Sequence, residues 1–139
     1  MNYFQIILFI LYCSVVLSCR SKPETNPIPA QLAALNDQLM AMHDSTMVKH
    51  GEALSLIDKL KIITNNPGNQ NITMVDSIRT ELDQSNESMM DWMANYEDPI
   101  EKDSAAINYL HTQIDIMHKI SVHQLQNIAL AKKILQNGN

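Results

Sequence analysis

A chain of 139 residues with a formal charge of −5 has room for one modest core and carries a mildly acidic surface, which argues against nucleic acid as a partner. Three glycines and 5% aromatic residues count against a sheet protein with many tight turns and for helices. Both cysteines, Cys13 and Cys19, lie near the start, so no disulfide can staple the rest and the fold must hold by packing.

In chain order, the first segment is an apolar run from Ile6 to Leu17, with no charged side chain before Arg20. It falls short of the roughly 20 residues that span a bilayer comfortably. Its end, Val16-Leu17-Ser18-Cys19, resembles the lipobox of bacterial lipoproteins, in which the cysteine becomes the first residue of the mature protein. The resemblance implies cleavage before Cys19, lipid (a diacylglyceryl group and usually a further acyl chain such as palmitate) on Cys19, and a place in the cell envelope, in the outer membrane or facing the periplasm. An uncleaved anchor helix or an ordinary secretory signal would also place the domain outside the cytoplasm. The reading divides the chain into a signal peptide (1–18), a lipidated cysteine with a proline-rich tether (19–29) and a helical domain (30–139).

From Ala30, apolar residues recur at 3,4 spacing through Leu32, Leu35, Leu39 and Met42, then Ala53, Leu56, Leu60 and Ile63, which is one face of a helix. Prolines at its entry and Asn65-Asn66-Pro67-Gly68 at its exit bound it from about Pro29 to about Asn65. Gly51 is its weakest point. A second helix, from about Thr73 to about Glu97, opens on a capping box from Thr73 to Asp76 and presents Val75, Ile78, Leu82, Ser85, Met89, Trp92 and Tyr96. Asp98-Pro99-Ile100-Glu101 then reads as the start of a third helix, Pro99 to about Gln136, with Ile107, Leu110, Ile114, Met117, Ser121, Gln124, Ile128 and Leu135 on one face.

Short links make neighbouring helices antiparallel, so the expected fold is all-α, an up-down-up three-helix bundle with coiled-coil-like packing and long first and third helices. Counting through such links leaves the helix ends mismatched. Leu32, Leu35 and Leu39 then project past one end, and Ile128 and Leu135 past the other. Exposed stripes of that kind suit a second copy or a helical protein partner.

Two segments carry most of the donor chemistry, Met40 to Met47 with His43 between, and Met89 to Met93 around Trp92. His43 and Met47 form an i,i+4 pair, and the antiparallel register brings Met89 and Met93 to their level. Thioether and imidazole donors suit Cu(I), and a His/Met pair also suits haem iron, although a slim bundle has little room for a haem. The plain alternative is that methionine fills an aromatic-poor core around Trp92. His111 and His118 read as solvated or half-buried structural histidines, and no nucleophile triad, phosphate loop or paired acids point to catalysis. His43-Asp44-x-x-Met47 and Met89-Met90-x-Trp92-Met93 resemble segments of short helical lipoproteins of Bacteroidetes-type bacteria, which implies location and fold and supplies no mechanism. The expectation is a membrane-anchored, non-enzymatic helical interaction module without a cofactor. Its alternative is a small periplasmic Cu(I)-binding protein using His43, Met47, Met89 and Met93.

Overall fold

The computed structural model describes residues 27–65, 72–100 and 102–137, which form α1 (Ile28–Thr64), α2 (Ile72–Asn95) and α3 (Ser104–Asn137). Every helix packs on both others, and α1 against α3 is the largest interface. Contacts between His43 and Met93, Trp92 and Gln113, and Glu52 and Lys132 run α2 antiparallel to α1 and α3 parallel to it. The bundle is all-α and up-down-up, as the spacing requires. The leader, Cys19, the tether up to residue 26 and the Asn66-Pro67-Gly68 turn lie outside the described residues.

α1 starts one residue before the expected position, with Pro27 as cap and Pro29 in the first turn, where a missing N–H costs nothing. It ends where Asn65 N–H returns to the carbonyl of Lys61 at 3.1 Å. Gly51 sits in its middle, exposed, and a Cβ built there meets nothing within 4 Å. α2 begins at Ile72, which places Thr73 inside the helix, so the capping box from Thr73 to Asp76 is not formed. The Asp76 carboxylate is held instead by Arg79 at 2.7 Å, and Arg79 also reaches Asp83 at 3.1 Å, a ladder along one side of α2.

The main correction concerns α3. Asp98 and Pro99 do not start it; Asp103 does, accepting the Ala106 N–H at 3.0 Å as an N-cap accepts that of N3. Tyr96 to Ile100, and Lys102 with Asp103, lie outside any helix and are tied down where Tyr109 Oη accepts the Glu97 N–H at 3.2 Å and Lys102 Nζ donates to the Pro99 carbonyl at 2.8 Å. The longer link moves α3 back along the bundle until it runs level with α1. The expected overhangs therefore do not exist. Leu32, Leu35, Leu39 and Ile128 are buried within this chain, and Leu135 is half-buried against the core.

The core divides in two. One apolar cluster joins Leu32, Leu35 and Leu39 to Met89, Trp92, Ala106, Leu110, Met117 and Ile120. The other joins Ala53, Leu56, Ile57 and Leu60 to Val75, Leu82, Ile128 and Ala131. Between them lies a polar layer, in which Thr46, Ser85, Asn86, Gln124 and Asn127 are all buried. The two hydroxyls bond back to their own helices, Thr46 to the Met42 carbonyl at 2.8 Å and Ser85 to that of Leu82 at 2.9 Å, which satisfies them locally. Gln124 Nε2 donates to Asn86 Oδ1 at 3.0 Å and ties α3 to α2. On the rim, Glu52 on α1 takes Lys132 on α3 and Lys49 at 3.0 Å. Hydrogen bonds from Lys132 first and Lys49 second hold its carboxyl below the usual range.

Chemical denaturation checks two expected outcomes. Gly51→Ala removes the entropic penalty of glycine without a clash, and should stabilise the fold by about 0.5–1 kcal/mol. Gln124→Leu strands both polar atoms of Asn86 in the interior and should cost about 1–3 kcal/mol, most of it regained in Asn86→Leu/Gln124→Leu. A double variant as weak as the sum of the singles would show that the two amides do not act as a pair.

Candidate functional site

The helical pitch puts His43 and Met47 on one side of α1, and Met89 and Met93 on one side of α2. The packed register brings two of the four into direct contact. His43 Nε2 lies 3.2 Å from Met93 Sδ, across fifty residues of sequence. His43 Nδ1 faces Asp44 Oδ1 at 2.9 Å. The imidazole is 23% exposed, so the contact sits at the bundle surface with an opening to solvent. Met47 and Met93 are half-buried against the apolar cluster that begins at Leu32. Met89 is fully buried in that cluster.

Asp44 as a carboxylate can only accept, so Nδ1 carries the hydrogen of that bond. A neutral ring then turns the lone pair of Nε2 toward the thioether, which is also electron-rich. The arrangement is complementary when a cation stands at Nε2, either a proton or a metal ion.

Behind His43 runs a column of rings. Trp92 is 5.8 Å from it, Tyr96 stacks on Trp92 at 4.9 Å and Tyr109 follows at 6.2 Å, spacings at which offset aromatic pairs attract. Trp92 and Tyr96 are also anchored at their polar edges: Trp92 Nε1 donates to Gln113 Oε1 at 2.9 Å, and Tyr96 Oη to Asn36 Oδ1 at 3.3 Å. Burial, with Asp98 and Tyr109 nearby, pushes the Tyr96 phenol above its ordinary value. The column closes the end of the bundle that α2 does not reach, and it keeps Trp92 in place beside His43.

The remaining candidates do not gather. His111 and His118 are exposed on α3, and among the described residues no three His, Cys, Asp or Glu side chains are grouped as a metal ion would require. Two surface depressions lie apart from the cluster. One, of about 560 Å³, is bounded by the 96–103 link and Tyr109, and the other lies beside Glu52 and Lys132. The first has Asn95, Glu97, Asp98, Asp103 and Tyr109 among its lining residues, the second Glu52, Ser55, Lys59 and Lys132. Gln113 and Asn36, which orient the aromatic column, escape a reading of the sequence. Their signal is weak, since each is one polar residue beside an apolar stripe and its partner lies far away in sequence.

No described helix is long and apolar enough to cross a membrane. Comparison with protein families, curated proteins and solved structures finds no match to any of them.

The Tyr96 phenol gives a check on the column. Its raised value means stability that is complete below the ordinary tyrosine value, about 10, and is lost as pH climbs through the higher folded value. An ultraviolet titration of the folded chain should show one tyrosine ionising late, and Tyr96→Phe should remove that late step. A titration in which all tyrosines ionise together near the ordinary value would contradict the packed column.

Proposed function

We propose that this protein is a non-enzymatic, lipid-anchored module of the cell envelope, held by lipid on Cys19 and acting through protein contacts. The observation that carries the reading is Val16-Leu17-Ser18-Cys19 at the end of an apolar leader. The segment C-terminal to the cysteine supports it. Arg20 to Pro27 is short and polar with two prolines, reaching up to about 3.1 Å per residue, and α1 begins directly after it at Ile28. Each buried methylene of an acyl chain contributes about 0.8 kcal/mol, and two or three chains make a lasting anchor.

A tether attached at Ile28 would turn that end of the bundle toward the lipid, with the 96–103 link and the 91% exposed Ile100 beside it. With Leu32, Leu35 and Leu39 buried, contacts with a helical partner or a second copy would fall on the sides of the bundle. Val48 and Ile62, each 73% exposed, stand two heptads apart on the outer side of α1 and are apolar enough for such a role.

Metabolic labelling with a clickable palmitate analogue in a bacterial host tests the anchor. The wild-type chain should carry label and sediment with membranes. Cys19→Ala should lose the label and run larger, because cleavage before residue 19 no longer occurs. An unlabelled wild-type chain, or a Cys19→Ala variant processed like wild type, would overturn the reading.

A further inference from the structure

We propose that His43 and Met93 form the centre of a surface site for a soft monovalent metal ion, Cu(I), with Met47 as a further donor and Asp44 orienting the imidazole. Three observations carry it. The first is the donor set itself: imidazole nitrogen and thioether sulfur meet at 3.2 Å from two different helices, and thioethers select soft ions over Zn²⁺, Mg²⁺ or Ca²⁺.

The second is the hydrogen bond on the far side of the ring, His43 Nδ1 to Asp44 Oδ1 at 2.9 Å. A metal-bound histidine ordinarily gives its other N–H to a carboxylate, which fixes the tautomer and raises the basicity of the ligating nitrogen. Here that partner points the free lone pair of Nε2 at the sulfur, although Asp44 itself is 79% exposed. On binding, the ion takes the Nε2 lone pair, and any proton held there leaves to solvent.

The third is access and fit. For an ion that takes nitrogen at about 2.0 Å and sulfur at about 2.3 Å, donors at this separation subtend about 95°, open enough to leave room for a third ligand. Met47 stands one helical turn from His43 and is half-buried, and its three rotatable bonds let it swing toward the ion. The site is independent of the anchor at Cys19: either proposal can fail without the other.

The experiment uses the full chain in detergent micelles with Cys13→Ser and Cys19→Ser, so that no thiol competes, and Cu(I) buffered by a chromophoric chelator. Trp92 is the only tryptophan and lies 5.8 Å from the His43 ring, so its fluorescence reports occupancy directly. Binding of one Cu(I) with submicromolar affinity and quenching of Trp92 is expected. His43→Gln and Met93→Leu should each weaken it by about tenfold or more, and Asp44→Asn by about tenfold, whereas Met90→Leu, an exposed methionine on the same helix, should leave it unchanged.

Should Met93→Leu fail to fold, silver(I) added to the wild-type chain gives the answer by NMR, through shifts confined to the methyl groups of Met93 and Met47 and the His43 ring. No binding below micromolar, equal weakening by Met90→Leu, or silver shifts spread over all the methionines would overturn the proposal.

Discussion

The amide pair of Asn86 and Gln124, buried between two apolar clusters, is the constraint on which the rest of the bundle depends. Apolar layers alone tolerate sliding, because leucine, isoleucine and methionine repack at modest cost. Amides do not. If α3 slipped by one heptad, Met117 or Ala131 would stand where Gln124 does, and two amides would be buried apart, at about 1–3 kcal/mol for each stranded group. One polar contact in the interior thus selects a register that the hydrophobic pattern leaves open, as a buried asparagine does in coiled coils. The layer is only partly satisfied: His50 Nδ1, Asn86 Nδ2 and Gln124 Oε1 find no hydrogen-bond partner among the described residues. It therefore contributes specificity more than stability.

Register then decides what lies at each end. α2 is much shorter than its neighbours, so it leaves the first third of α1 facing α3 alone. The gap is closed by the start of α3 and by the tyrosines: Tyr96 and Tyr109 pack on the cluster that contains Leu32 and Leu35. His43 meets Met93 through the register of α1 on α2, whereas the amide pair fixes that of α3 on α2. A membrane tether at Ile28 and a metal site at His43 would occupy different parts of one bundle, which lets the two proposals stand separately.

The helices were legible in the sequence because a 3,4 apolar spacing has one physical reading over so many turns. Leu32, Leu35, Leu39, Leu56 and Leu60 on α1, and Val75, Leu82, Ser85, Met89 and Trp92 on α2, lie on the faces that the spacing gives. The start of α3 was not legible. Asp98-Pro99 and Asp103-Ser104 are both acceptable caps, and the choice falls to tertiary packing, through the Tyr109 hydroxyl on the Glu97 N–H and the small Ala106 against the core. That single choice moved α3 along the bundle and turned expected overhangs into buried leucines. Of the candidate donors, the meeting of His43 with Met93 is legible from antiparallel counting, whereas the full burial of Met89 depends on side-chain direction, which periodicity does not give.

Because everything else rests on the register, inter-helix nuclear Overhauser contacts in the isotope-labelled chain are the most direct test. Contacts are expected from the Met93 methyl to the His43 ring, from the Trp92 indole N–H to the Gln113 side chain, and from Leu32 and Leu35 to the Ala106–Leu110 turn. The same helices with contacts displaced by a heptad, such as Trp92 against Ile120 and Leu32 open to solvent, would contradict it.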